Sequence, residues 1–125
     1  MDRTEMIALV ESYFLAVDQK DIDRVSTFFS AKSIFTIASY NVAYQGLDDI
    51  VSMFERLNDR YDNIWHGNFE HLVCVDEGKA ASQFDVKNIM NNGAAQYKKN
   101  ANFFVIKNGR FEKVDVYMSG DNSLK

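Results

Sequence analysis

Residues 94–118 read AAQYKKNANFFVIKNGRFEKVDVYM, and this stretch decides the fold class. Asn108-Gly109 is a dipeptide that tight two-residue hairpin turns favour, because both turn positions need a positive φ. On either side of it, apolar and aromatic residues are interleaved with polar ones, as in strands that are buried on one face. The stretch therefore predicts two antiparallel strands, at about 94–107 and 111–118.

Two similar turn signals precede this hairpin. Asp76-Glu77-Gly78 and Asn91-Asn92-Gly93 supply the Asn, Asp and Gly residues that tight turns require. They delimit two more strands, at about 64–75 and 79–90. Four long strands joined by consecutive short turns predict an antiparallel meander.

The first half of the chain has the periodicity of helices. The spacing of apolar residues predicts a helix from Thr4, its N-cap, to Asp18. Its apolar stripe consists of Met6, Val10, Tyr13, Phe14 and Val17. A second, short helix starts at Asp21, a strand covers Ser33–Ser39, and a third helix covers Gly46–Tyr61. Helices followed by a meander predict an α+β fold, with the helices packed on one face of a curved antiparallel sheet.

Composition and charge exclude several classes of function. The 125 residues, 46% of them hydrophobic, fit one globular domain over 1–125. The formal net charge is −4 and no stretch is rich in Lys or Arg, so we expect neither nucleic acid nor a membrane surface as partner. No apolar run is long enough to span a bilayer, and the acidic start is unlike a signal peptide. We therefore expect a cytoplasmic protein, whose one cysteine, Cys74, forms no internal disulfide.

Signatures of cofactor and metal chemistry are absent from the sequence. It contains no Gly-rich phosphate loop, no GxSxG elbow and no Cys/His cluster, so we expect no cofactor and no metal. His66 and His71 are five residues apart on a predicted strand. This spacing places them on opposite faces, where they cannot share a metal ion. Cys74 is interpreted as a small core residue rather than as a nucleophile.

Three polar side chains are candidates for chemistry. Tyr13 lies in the apolar stripe of the first helix, so its hydroxyl points inward, either as a donor to a ligand or as a core group bonded to the backbone. Asn102 lies on the predicted inner face of its strand, with either a pocket or a loop as its partner. His66 carries an imidazole that can titrate near neutral pH, although it also fits a strand end near solvent.

Three acids are weaker candidates for a general acid or base. Strand parity places Asp85 and Asp115 on the outer face of the sheet, where a solvated charge is the usual outcome. Glu70 is a third candidate of the same kind. The apolar neighbours predict the opposite face, toward the helices, for Asn102, Phe104, Ile106, Val114, Val116 and Met118.

Several stretches, taken in order, resemble a known superfamily. They are Tyr13–Asp18 with Asp21–Asp23, Tyr44–Gly46 before the third helix, and Phe104–Phe111 leading into Val114–Met118. Their order and spacing over nearly the whole chain resemble the nuclear transport factor 2-like superfamily, especially its SnoaL-like and ketosteroid isomerase-like branch. The resemblance implies a cystatin-like cone, in which a curved antiparallel sheet wraps around the N-terminal helices and encloses a deep pocket. It also implies a homodimer formed through the outer sheet face.

The resemblance also implies roles for single residues. In the ketosteroid isomerase branch, a first-helix Tyr and a protonated Asp donate hydrogen bonds to an oxyanion. Tyr13 and Asn102 match these positions, and a carboxamide can still donate. The position of the general-base Asp matches Ile37, and that of the late-strand acid of epoxide hydrolase-like and polyketide cyclase-like members matches Val116. The resemblance therefore implies a pocket without an ionised carboxylate, with His66 as the only remaining base.

Two kinds of function follow. The first is a small-molecule site in which Tyr13, Asn102 and His66 act on a hydrophobic carbonyl compound, as in an isomerase, cyclase or dehydratase. Its predicted lining is Phe14, Phe35, Ile37, Phe54, Trp65, Phe104, Val114, Val116 and Met118. The second is a non-catalytic module that dimerises or binds a protein through outer aromatics such as Phe103 and Tyr117. An open pocket of about 300 Å³ or more supports the first, and a filled interior supports the second.

Overall fold

The computed structural model of the protein describes residues 1–125 and confirms the α+β class. In chain order the elements are α1 (Arg3–Asp18), α2 (Ile22–Thr27), β1 (Phe29–Ile37), a 3-10 turn (Ala38–Tyr40), β2 (Val42–Gln45), α3 (Leu47–Arg60), β3 (Tyr61–Cys74), β4 (Lys79–Met90), β5 (Ala95–Lys107) and β6 (Arg110–Met118). None of the helices is long and apolar enough to cross a membrane.

All six strands belong to one open sheet, in the order β2-β1-β6-β5-β4-β3. The β3–β6 meander is antiparallel, as predicted. However, β1 pairs with β6 in parallel, which corrects the expectation of a wholly antiparallel sheet. Turn residues identify strands that are joined by hairpins. No such signal marks the partner of β1, because the chain reaches β6 only after passing through α3 and four other strands.

Side-chain caps determine where the first two helices begin. Asp2 accepts a hydrogen bond from the backbone N–H of Glu5 at 2.8 Å, and Glu5 accepts one from the backbone N–H of Asp2 at 3.0 Å. This reciprocal capping box starts α1, so the predicted cap at Thr4 is wrong. Asp21 caps α2 as expected, accepting from the backbone N–H of Arg24 at 3.1 Å.

The core lies between the helices and the concave face of the sheet, with Tyr13 near its centre. The phenol ring packs at centroid distances of 4.9–6.3 Å against the rings of Phe14, Phe28, Phe29, Phe54, Phe104 and Phe111. Burying one such ring contributes on the order of 2–3 kcal/mol. This packing fixes the rotation of α1 against the sheet, and with it the direction of every side chain on its inner stripe.

A bulge in β3 changes the direction of its later side chains. Asn68 has a φ of 55°, and the register with β4 shifts between Gly67 and Glu70. One extra residue in a strand reverses the alternation of faces. His71 therefore faces α1, as His66 does, and the prediction that the two histidines point to opposite faces is wrong.

Candidate functional site

A cavity of about 30 Å³ lies between α1, α3 and the concave face of the sheet. The three predicted catalytic residues, Tyr13, Asn102 and His66, all line it. The full lining is Tyr13, Phe14, Val17, Phe35, Phe54, Leu57, His66, Phe84, Asn100, Asn102, Val116 and Leu124. The fold thus brings together a phenol from α1, an imidazole from β3 and a carboxamide from β5.

The predicted apolar lining is distributed over three locations. Bordering the cavity are Phe14, Phe35, Phe54 and Val116. Buried in the core but outside the cavity lining are Ile37, Phe104, Val114 and Met118. Trp65 lies on the outer face, because its neighbour His66 faces inward, and this corrects its predicted place in the pocket. Its indole covers Gly67, where a Cβ would lie 2.1 Å from the Trp65 ring.

The cavity is too small for a substrate. Small-molecule sites commonly enclose about 300–1,000 Å³. The volume of about 30 Å³ has room for little more than a water molecule. The expected open pocket is therefore not seen, and a ligand can enter only if part of the lining moves.

Tyr13 is held in its protonated form. The side chain is fully enclosed by the core, with 2% of its surface exposed. Burial raises the pKa of the Tyr13 hydroxyl well above its usual value of 10.0, and the negative charge of Asp18 raises this pKa further. The hydroxyl therefore keeps its proton, and its capacity to donate, throughout the physiological pH range.

Asn102 brings an unpartnered carboxamide to the cavity. Its Oδ1 is buried and has no hydrogen-bond partner, and the same is true of Oδ1 of Asn100 on the same face of β5. A buried polar atom without a partner costs about 1–3 kcal/mol. In native proteins such an atom calls for a specific explanation, such as a catalytic role or a bound molecule. Both amides line the cavity, so a molecule that donates a hydrogen bond there would supply the partner that Oδ1 lacks.

His66 is paired with a carboxylate that we did not predict. Asp18 Oδ1 lies 2.5 Å from His66 Nδ1, and Asp18 Oδ2 accepts the backbone N–H of His66 at 2.9 Å. The imidazole lies between the rings of Phe14 and Phe84, at centroid distances of 4.9 and 5.6 Å. A carboxylate can only accept, so Nδ1 carries the hydrogen. In the neutral form of the imidazole, the lone pair is then on Nε2.

The position of Asp18 in α1 was a signal for this pair. Asp18 is the last residue of the helix, where the helix dipole disfavours a negative charge. It also follows Phe14 by one turn, on the stripe that meets the sheet. An acid at such a place needs a specific partner, which helical periodicity alone does not identify.

A second acid–histidine pair lies beside the first. His71 Nε2 is 2.7 Å from Glu11 Oε2, and His71 Nδ1 is 2.7 Å from Ser82 Oγ. Glu11 precedes Asp18 by seven residues, or about two helical turns, so both acids project from one side of α1 toward β3. Glu11, His71 and Ser82 do not line the cavity.

The three weaker acid candidates lie away from the cavity. Asp85 accepts hydrogen bonds from Lys99 at 2.8 Å and Asn68 at 2.9 Å, and these bonds hold the pKa of its carboxyl below the usual range. Glu70 and Asp115 line grooves elsewhere on the sheet. None of the three can reach a molecule held beside Tyr13.

The structure contains no group of three or more His, Cys, Asp or Glu side chains placed to hold a metal ion. Cys74 is exposed, which corrects its interpretation as a core residue. It lies at the end of β3, and its Sγ donates to Glu77 at 3.4 Å.

Comparison with known proteins identifies the family to which this chain belongs. The family model of the SnoaL-like domain matches residues 1–120. The chain therefore belongs to the SnoaL-like family, which confirms the resemblance to the nuclear transport factor 2-like superfamily. The likeness to a ketosteroid isomerase-like structure is one of fold. Among curated proteins, no sequence matches this chain.

Solved structures share the fold at low sequence identity. A proposed polyketide cyclase from Xanthomonas campestris pv. campestris has 18% identity and a TM-score of 0.84 over 92% of this chain and 90% of that one. AusH from Aspergillus nidulans has 16% identity and a TM-score of 0.83 over 99% and 92%. A hypothetical protein with a ketosteroid isomerase-like fold from Catenulispora acidiphila, in complex with trimethylamine, has 10% identity and a TM-score of 0.80 over 93% and 88%. At these identities the likeness establishes the fold alone.

Proposed function

We propose that the protein is an enzyme that removes a proton from a carbon next to a carbonyl group, as an isomerase, cyclase or dehydratase does. One observation carries this proposal. A histidine with a paired carboxylate, His66 with Asp18, shares a mostly apolar cavity with two hydrogen-bonding groups, Tyr13 and Asn102. Membership of the SnoaL-like family and the likeness to a proposed polyketide cyclase support a small-molecule substrate.

His66 acts as the general base. Its Nε2 takes the proton from the carbon, and the electron pair of the broken C–H bond moves to the carbonyl oxygen, which gives an enolate. The Asp18 carboxylate, 2.5 Å from Nδ1, stabilises the imidazolium that forms. Asp18 is thus a positioning residue, and it supplies the charge that the aliphatic side chains of Ile37 and Val116 cannot.

Tyr13 and Asn102 stabilise the enolate oxygen. Because the pKa of Tyr13 is raised, its hydroxyl donates a hydrogen bond and does not ionise. The Asn102 carboxamide donates through Nδ2. In an isomerase reaction, His66 returns the proton to a different carbon. In a dehydratase reaction, the enolate expels a hydroxyl group, which leaves as water with the proton from His66.

The lining indicates the chemical class of the substrate. No Lys or Arg side chain borders the cavity, and most of its walls are aromatic or aliphatic. A charged substrate would lose its hydration there without gaining a counter-ion. We therefore propose an uncharged, hydrophobic carbonyl compound, which donors such as the Tyr13 hydroxyl would orient.

Proton exchange at an activated carbon tests the proposal. The protein is incubated with 2-tetralone in D₂O, and loss of the α-proton signal is followed by NMR. We expect acceleration over buffer, a loss of about 10²- to 10⁴-fold in His66→Gln, and near-wild-type exchange in the matched variant His71→Gln. A wild-type rate equal to that of buffer, or a His66→Gln rate equal to that of wild type, would overturn the proposal.

The outer face of the sheet supports a second candidate function, homodimer formation. Leu72, Phe103 and Tyr117 are 78%, 52% and 47% exposed. They border a largely apolar groove of about 670 Å³. We expect sedimentation to show a dimer that Phe103→Lys dissociates, while Tyr97→Lys, outside the groove, leaves it intact. A wild-type monomer would remove this candidate.

A further inference from the structure

The segment after β6, residues 119–125, supplies one wall of the cavity. Leu124 borders the cavity beside residues of α1, β1 and α3. Ser123 is buried, and Leu124 packs against the hydrophobic core. We call residues 119–125 the strap.

The strap differs from every other wall of the cavity. All the other lining residues lie on α1, α3 or one of the strands, where backbone hydrogen bonds hold them in place. Leu124 is the only lining residue outside a helix or strand. Segments that lack the regular backbone hydrogen bonds of a helix or sheet open most readily in a folded protein. The strap is therefore the wall that can move at the lowest free energy.

Side chains from the body of the protein hold the far end of the strap. Arg60, the last residue of α3, donates from Nη1 to the carbonyl of Ser123 and from Nη2 to that of Lys125, both at 2.6 Å. The Tyr44 hydroxyl of β2 donates to the carbonyl of Leu124 at 2.9 Å. These three bonds fix the backbone on both sides of the Leu124 side chain. The forked, charged donor group of Arg60 makes two of them, so Arg60 is the main latch.

A second set of contacts holds the near end of the strap. Lys98 Nζ donates to the carbonyl of Ser119 at 2.7 Å and also to the carbonyl of Asp121. The Tyr40 hydroxyl donates to the carbonyl of Gly120. Lys98 is 3% exposed, so this end is tied to a buried group of β5. The near end is thus a fixed point, about which the far end can swing when the bonds from Arg60 and Tyr44 break.

We propose that the strap is the gate of the site, with Leu124 as the side chain that keeps it closed. When the hydrogen bonds from Arg60 and Tyr44 break, Leu124 withdraws from the cavity and opens a path to His66 past α3 and β2. This inference rests on the proposed function, because it supplies the space that a substrate needs and that the closed cavity lacks.

A thiol placed in the cavity wall tests the gate without any catalysis. Val116→Cys introduces the thiol, and Cys74→Ser removes the exposed native one. The rate of reaction with 5,5′-dithiobis(2-nitrobenzoate) then reports how often the cavity opens. We expect Arg60→Gln and Leu124→Ala each to raise this rate about tenfold or more, because losing contacts of this strength shifts a closed state by about that factor. Arg110→Gln, a charge change on the exposed end of β6, is expected to leave the rate unchanged.

Amide hydrogen exchange in β5, measured on the same variants, separates strap opening from loss of the whole fold. We expect it to stay at the parent rate. The gate would be overturned if the thiol reacted at the same rate in the parent and in the strap variants. It would also be overturned if the thiol reacted faster only in variants whose β5 amides exchange faster. Strap-dependent labelling in a protein that does not exchange the 2-tetralone proton would keep the gate and remove the enzymatic proposal.

Discussion

The two acid–histidine pairs on α1 contain similar groups but leave different atoms free. In the first pair, Asp18 engages Nδ1 of His66, and the other nitrogen remains available beside the cavity. In the second pair, Glu11 and Ser82 engage both nitrogens of His71. The second imidazole therefore links α1 to β4 and has no lone pair to offer. The comparison shows that a paired carboxylate alone does not let a histidine act as a base. The other groups around the imidazole must also leave one of its nitrogens free.

The pairs also differ in their exposure to water. The Asp18 side chain is 17% exposed, whereas that of Glu11 is 49% exposed. Water screens a charge at the position of Glu11 far more than at that of Asp18. The comparison therefore predicts different effects on rate and stability, which the following variants would separate.

The largest of these effects is expected at Tyr13, because a donor phenol accompanies only the first pair. Tyr13→Phe should lower the rate of 2-tetralone proton exchange about 10²- to 10³-fold, the usual effect of removing one oxyanion donor. Tyr97→Phe, on the outer surface, is the control and should leave the rate unchanged. Equal rates in the two variants would exclude Tyr13 from the reaction.

Asp18→Asn is expected to lower the exchange rate about 10- to 100-fold, because an amide no longer stabilises the imidazolium. Glu11→Gln, the matched change in the second pair, should stay within about twofold of wild type. A purely structural role is tested by Asp18→Glu and by the pH–rate profile. We expect Asp18→Glu to recover part of the exchange rate and Asp18→Asn to shift the pH–rate profile. A lower rate in Asp18→Asn with an unshifted pH–rate profile would contradict the positioning role.

The same two acids should also differ in how much each contributes to the free energy of unfolding. Asp18→Asn is expected to lower the free energy of unfolding by about 1.5–3 kcal/mol, since hydrogen bonds to a charged and mostly buried acceptor are lost. Glu11→Gln should cost about 1 kcal/mol or less, because this pair is partly screened by water. Urea unfolding of both variants measures the difference. A larger loss in Glu11→Gln would reverse the assignment of the two pairs.

The smallest effect is expected in how the free energy of unfolding changes with pH under alkaline conditions. A tyrosine in the unfolded chain loses its proton near pH 10.0, whereas folded Tyr13 keeps it because its pKa is raised. Above that pH the unfolded chain therefore binds fewer protons, and the free energy of unfolding falls as the pH rises. Tyr13→Phe should flatten this fall, Asp18→Asn should reduce it slightly, and Glu11→Gln should leave it as it is. Urea unfolding across this pH range measures the slopes, and coincident slopes in Tyr13→Phe and wild type would contradict the prediction.

The fold was largely predictable from local signals. Turn residues such as Asn108-Gly109 act over a few positions, so they locate hairpins directly from the sequence. The parallel pairing of β1 with β6 was not predictable in this way, because it depends on how α3 and the four strands that separate them in the sequence are arranged. The cap at Asp2 was also missed, although Asp2 and Glu5 have the spacing of a capping box.

The candidate site was predictable only in part. Helical and strand periodicity directed Tyr13 and Asn102 inward, and both line the cavity. The Asp18–His66 pair joins two residues that are 48 positions apart in the sequence, which no periodicity connects. The face of His71 depends on a bulge that begins at Asn68, and the volume of the cavity depends on how bulky rings and Leu124 pack. These properties follow from the assembled fold and not from any short stretch of sequence.

A crystal structure of the protein with bound 2-naphthol tests the central claim most directly, since the hydroxyl of this planar phenol imitates an enolate oxygen. We predict that this oxygen lies about 2.5–3.2 Å from the Tyr13 hydroxyl and from Asn102 Nδ2, with a ring carbon facing His66 Nε2 and with Asp18 still on Nδ1. A naphthol bound only in the groove beside Phe103, or a His66 ring whose Nε2 points away from the ligand, would contradict the account.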